Sequence, residues 1–175
     1  MSNIPQIDYD TASEEIRSAH DEEVRVRGRM TNMKRTLLHS PVAHRIYAEW
    51  FTLRSELSVI PDRPIWIFSH AISKASKSKI AITFFRRALI NAGFNPDALE
   101  LSDEETLLAA FGEAIVADSN AVPAEIWAKL KQRYDAKTLV DLVAFAGIMI
   151  ATAIFNNVVD VDFDPELEAF AETSR

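Results

Sequence analysis

The run LVAFAGIMIATAIF, Leu142 to Phe155, has no charged residue and no polar face. A helix of that composition leaves no side for water, so its surroundings must be apolar all round. The run is shorter than the roughly 20 residues that cross a bilayer. It reads as a buried helix of a globular domain, with part of its wrapping expected from a second copy of the chain. Only four glycines occur in 175 residues, of which 48% are hydrophobic. That balance favours helices over a turn-rich β fold. One all-α domain spanning residues 1–175 is expected, with about six helices, a core over residues 12–163 and a loose acidic tail over 164–175.

Local signals place the helices. Thr11 and Glu14 have capping-box spacing, and Gly28 is a stop. RGRMTNM reads as a connection. Ser40-Pro41 opens a second helix, whose Val42, Ile46, Trp50, Leu53 and Leu57 recur at steps of three and four. PDRP, Pro61 to Pro64, breaks it. A central helix is expected from Ile65 to Ala92, with a weak point near Ser73–Ser76 and a cap at Gly93. Ser102 and Glu105 form another capping box, opening a helix to about Asp118. Pro123 starts a helix to about Tyr134, and Asp135 or Lys137 leads into the last, ending near Val159.

Several function classes fall away. Cysteine is absent, which removes disulfides, thiolate metal sites and thiol nucleophiles, and fits a reducing cytoplasm. The N-terminus MSNIPQIDYD lacks the basic start and apolar run of a secretory signal. A net charge of −7 opposes nonspecific nucleic-acid binding. Arg25, Arg27, Arg29, Lys34 and Arg35 form a local basic cluster that reads as a solvated face or a contact for acidic residues. Asp160, Asp162 and Asp164 open like a calcium loop, but Pro165 and Ala171 stand where glycine and a bidentate glutamate are needed. His20, His39, His44 and His70 share no ligand spacing, and no phosphate loop or nucleophile elbow is present. No metal, cofactor, membrane or nucleic-acid partner is expected.

The segments EIRSAHDEEVRVRGRMTNMKRTLLHSPVAHRIYAEW, ALINAGF and LVDLVAFAGIMIATAIFNNVVDV, in that order, resemble the carboxymuconolactone decarboxylase and alkylhydroperoxidase-D-like superfamily. The likeness lies in the charged first helix, a Gly-x-x-x-Asn turn, the HSP helix start and an apolar last helix ending in asparagine. It covers about residues 12–163 and implies a helical bundle assembled as a dimer, trimer or hexamer. Redox members carry Cys-x-x-Cys-x-x-x-His with a glutamate upstream, where one thiolate attacks, the second resolves the disulfide, and histidine and glutamate relay protons. Counted back from NAGF, those positions fall on Ser78, Ala81 and Phe85, with the glutamate near Trp66. None of these side chains does that chemistry, so thiol peroxidase and disulfide reductase activity are expected to be absent.

On a continuous central helix, His70, Lys74 and Ser78 share one stripe with Ala81 and Phe85. Two readings stand side by side. In one, a lysine of lowered pKa and a histidine one turn away serve acid/base chemistry on a small molecule. In the other, serine and alanine pack tightly, the lysine snorkels to water, and the chain is a noncatalytic oligomer that holds a ligand or partner. Arg86 and Arg87 read as ion-pair formers. Trp50, Trp66 and Trp127 read as core or interface anchors, and Asn156 and Asn157 as groups tying the chain end.

Overall fold

A computed structural model describes residues 2–171, and no strand occurs among them. The fold is all-α. Helices run α1 (Glu14–Arg27), α2 (Asn32–Leu37), α3 (Pro41–Glu56), α4 (Asp62–Ala75), α5 (Lys79–Asn91), α6 (Asp103–Ala117), α7 (Ala124–Arg133), α8 (Ala136–Val159) and α9 (Pro165–Glu168).

Three features raise the count above the expected six. RGRMTNM is not only a connection, because Thr31 caps a short helix, α2, by accepting from the Lys34 N–H. The segment from Asp164 was expected to be loose. Its described part instead forms α9, with Asp164 and Leu167 only 7% and 2% exposed. Residues 172–175 of the expected tail lie outside the described residues.

The third feature matters most for function. The central helix is not continuous, and α4 ends at Ala75 while α5 begins at Lys79. Lys77 adopts the left-handed conformation, φ 53°. The Ser78 N–H reaches back to the Ser73 carbonyl at 3.1 Å, and the Lys77 N–H to the Lys74 carbonyl at 3.0 Å. This is the double bond pattern of a Schellman stop. Glycine usually fills the left-handed position, and here Lys77 does; the break falls beside the weak point expected near Ser73–Ser76. The same pattern closes α5 with a glycine: Gly93 has φ 85°, and the Phe94 N–H bonds the Leu89 carbonyl at 2.9 Å.

Elsewhere the local signals hold, with small shifts. Ser13, not Thr11, caps α1, and Gly28 ends it in the left-handed conformation. Ser40 caps α3, the Ser102–Glu105 capping box is complete, and Asp135 caps α8.

The core centres on α4. Ile65, Phe68 and Ile72 are at most 1% exposed and pack with Phe85, Leu108, Phe111, Leu142 and Phe145. Gly112 lets α6 lie close against α4, because a Cβ there would sit 2.9 Å from Ile72 Cγ1 and 3.2 Å from the Phe68 carbonyl oxygen. The second helix, α3, turns only part of its expected apolar face inward: Leu57 is buried, but Val42 and Ile46 stay exposed.

The long apolar helix is wrapped on one side only. At 24 residues, α8 is long and apolar enough to cross a membrane by length and composition, although the uncharged run within it is shorter. Leu142, Phe145, Ala146, Met149 and Ala153 face the core. Val140, Val143, Ile154 and Val158 are 66%, 45%, 58% and 70% exposed. The chain by itself leaves that second face bare.

Candidate functional site

A cavity of about 240 Å³ opens between α2, α3, α5, α8 and the segment around α9. Its walls are Leu37, Trp50, Phe51, Ile80, Phe84, Phe85 and Met149, with Ala81 at the base of α5. Polar groups reach it from Arg27, Arg29, Lys34, His44, Thr152, Asn156 and Asp164. A mainly apolar hollow with a few convergent polar groups is the usual form of a small-molecule site.

Three separate helices build the polar end. Glu23 comes from α1, Lys34 from α2 and His44 from the first turn of α3. The Lys34 ammonium donates to Glu23 Oε1. Glu23 Oε2 lies 3.5 Å from His44 Nε2, and the two side chains are 5% and 8% exposed. That contact is too long for a hydrogen bond, and Nε2 has no other partner. Burial holds the His44 pKa below its ordinary value. Glu23 works against this, while Lys34 and Arg45 reinforce it. His44 is therefore a neutral imidazole at pH 7 with a carboxylate beside it, which is the arrangement of a general base whose protonated form finds a counter-charge at once.

Cations also gather at the mouth. The Arg27 guanidinium lies 3.9 Å from the centroid of the Phe51 ring and the Lys34 ammonium 5.0 Å from it. Three of the five residues of the basic cluster seen in the sequence, Arg27, Arg29 and Lys34, thus border an apolar hollow. The far wall is the chain's own C-terminal segment. Asp164 Oδ1 accepts from the Asn32 N–H at 2.7 Å, Asn32 Nδ2 donates to the Phe163 carbonyl at 2.9 Å, and Arg29 pairs with Glu166 at 2.9 Å. Burial raises the Asp164 pKa, and the Asn32 hydrogen bond offsets part of that rise. No cluster of metal-ligating side chains occurs among the described residues.

The residues expected from the sequence divide. Ala81 and Phe85 line the cavity. Ser78 does not, because it is fully buried at the start of α5 and its hydroxyl has no partner. Trp66 is half-buried against the core. His70 and Lys74 lie on α4, away from the cavity lining, with Lys74 exposed and His70 8% exposed. The helix break at Ser76–Ser78 removes the common stripe on which His70, Lys74 and Ser78 were grouped.

Arg86 forms the expected ion pair, buried and bidentate with Asp97 at 2.6 and 2.9 Å. Glu23, Lys34 and His44 were not grouped by sequence reasoning. They sit on three helices with no shared period, and the only signal was the basic cluster around Lys34.

No protein-family model matches the sequence, and no curated protein does. Among solved structures that share the fold are two of one protein. A cysteine-to-alanine variant of the debrominase Bmp8 in complex with 2,3,4-tribromopyrrole has a TM-score of 0.77 and 15% identity, covering 97% of this chain and 96% of that one. Bmp8 without ligand has a TM-score of 0.73 and 16% identity, covering 95% of each chain. At this identity the likeness establishes the fold.

Proposed function

We propose that this chain is a carboxymuconolactone decarboxylase/alkylhydroperoxidase-D-like protein that binds a small, largely apolar molecule in the α2–α3–α5–α8 cavity and performs proton transfer at His44. One observation carries the reading: a neutral, buried histidine without a hydrogen bond faces a buried carboxylate at the polar end of an apolar hollow. In this scheme a ring nitrogen of His44 accepts the substrate proton. The imidazolium formed is then held by the Glu23 carboxylate, which Lys34 fixes from its other oxygen. Thiol chemistry has no place in this scheme, since the chain has no cysteine.

The first test uses the ligand of the structural neighbour. Of the three tryptophans, only Trp50 lines the cavity. Bound 2,3,4-tribromopyrrole should quench its fluorescence by the heavy-atom effect. Trp50→Phe should abolish the quench and Trp66→Phe should not, and no bromide should be released without an added reductant. Absence of saturable quenching, or quenching that survives Trp50→Phe, rules out this cavity as the binding site.

The bare face of α8 supports assembly into a homo-oligomer. Val140, Ala144, Gly147, Ala151, Ile154 and Val158 recur at alternating steps of four and three, the spacing of a helix seam. A Cβ on Gly147 would touch nothing among the described residues, which leaves room for close approach of a second helix. Ile154→Asp should reduce the mass measured by light scattering to that of one chain while the helical circular dichroism stays unchanged. A wild-type chain that is already monomeric, or a variant of unaltered mass, rejects this interface.

A further inference from the structure

Asn156 is 4% exposed, lines the cavity and has its side-chain oxygen fully buried without a partner. Its side-chain amide makes no hydrogen bond among the described residues. A buried polar group left unpaired costs about 1–3 kcal/mol, and native chains retain few of them. The structural task at this end of α8 falls to the next residue, since Asn157 Nδ2 donates to the Ser76 carbonyl at 3.0 Å and ties α8 to the end of α4. The Asn156 side-chain oxygen thus has no partner among the described residues, and the residue stands in the cavity wall.

Cavity size and wall chemistry define that ligand further. A cavity of about 150 Å³ is enough for benzene, so 240 Å³ admits one ring with substituents. Trp50, Phe51, Phe84 and Phe85 present aromatic surface, which suits a flat ring. His44 requires a proton donor. The cations over Phe51 favour a ligand that is anionic once the proton has left.

We infer that the ligand is a compact aromatic with a weakly acidic X–H on the ring, a phenol or an azole, that ionises against His44 while the Asn156 amide holds a second polar substituent. This rests on the reading of the cavity as a proton-transfer site. The balance is simple. The ligand X–H bond breaks, the proton moves to the His44 ring nitrogen, and the electron pair stays on the ligand oxygen or nitrogen. The imidazolium then lies beside the Glu23 carboxylate, and the ligand anion lies near Lys34 and Arg27.

Titration with 4-nitrophenol and 4-nitrotoluene tests the inference, since the two differ in the acidic O–H and the phenolate is coloured. The expected result is at least about tenfold tighter binding of 4-nitrophenol, worth roughly 1.4 kcal/mol, with phenolate absorbance below the pH at which the free phenol ionises. His44→Phe should lose both effects, and His44→Gln serves if that variant does not fold. Asn156→Leu should weaken 4-nitrophenol about tenfold, leave unsubstituted phenol unaffected, and raise Tm by a few degrees because the unpaired amide is gone. Equal affinity for the two nitro compounds, or a phenolate signal unchanged in both variants, overturns the inference while leaving the cavity a binding site. If neither compound binds, the proton-transfer reading of the cavity falls with it.

Discussion

Replacing Phe68 by alanine should destabilise the chain by about 3–5 kcal/mol and lower Tm by about 6–20 °C for a chain of this size. Phe68 is fully buried and stacks on two rings from different helices. Its centroid lies 5.9 Å from that of Phe111 on α6, with an interplanar angle of 5°, and 6.3 Å from that of Phe145 on α8, at 24°. The ring therefore joins α4 to both neighbours at once. Its removal leaves a void that cannot easily close. At Gly112, α6 already approaches α4 so closely that a Cβ would stand 2.9 Å from Ile72 Cγ1, and the cost of truncation rises with the volume that fails to collapse. Phe68 does not line the cavity, so the folded fraction of the variant should keep the cavity wall unchanged. Chemical denaturation measures the loss. A value under about 1 kcal/mol would show that the three-ring stack does not hold these helices together.

Acid should destabilise the protein through His70 by an amount on the order of 3 kcal/mol. Burial, first, and then the nearby charges of Lys74 and Arg86 push its pKa down to about 4, against a smaller upward pull from Asp97. Lys74 lies on the same helix, Arg86 on α5 and Asp97 in the α5–α6 connection. In the unfolded chain the imidazole returns to its ordinary pKa near 6.5. Between pH 6.5 and 4 the unfolded state therefore binds a proton that the folded state refuses. Stability is fully present above about pH 6.5 and is lost as the pH falls towards 4, below which both states are protonated. His44, also lowered by burial, acts in the same direction. Urea denaturation across this range should show the fall, and His70→Leu should flatten most of it, because the unpartnered Nε2 leaves no hydrogen bond to lose. A wild-type profile that is level between pH 6.5 and 4 would mean that His70 keeps an ordinary affinity for protons in the folded chain.

The helix ends were legible wherever a residue type carries its own geometry. Ser40 before Pro41, the Ser102–Glu105 box, Gly28 and Gly93 all act where the sequence indicated. The break in the central helix was legible only as a weak point near Ser73–Ser76; that Lys77 makes it was not, because a lysine in the left-handed conformation is held there by tertiary context and not by its own preference. That one residue decides the site. It ends α4, places Ser78 in a cap, and separates His70 and Lys74 from the Ala81–Phe85 face that reaches the cavity. The docked segment around α9 was missed for a related reason: an acidic composition suggests solvation, yet Asp164 accepts from Asn32, Glu166 pairs with Arg29 and Leu167 lines the cavity.

By itself the sequence determined the fold class, the order of the main helices and the absence of thiol chemistry, since caps, apolar periodicity and a missing element are local or compositional facts. The tertiary structure decided where chemistry can occur. Glu23, Lys34, His44 and Asn156 come from four helices, and a buried carboxylate beside a neutral imidazole exists only once those helices pack. It also decided which helix lies at the centre. The most apolar segment, α8, covers the core with one face and leaves the other bare, while α4 is enclosed along Ser69, His70 and Ser73 and exposes only its ends. Hydrophobicity reports how much surface a helix can bury, but the surface it does bury depends on the neighbours that the fold supplies.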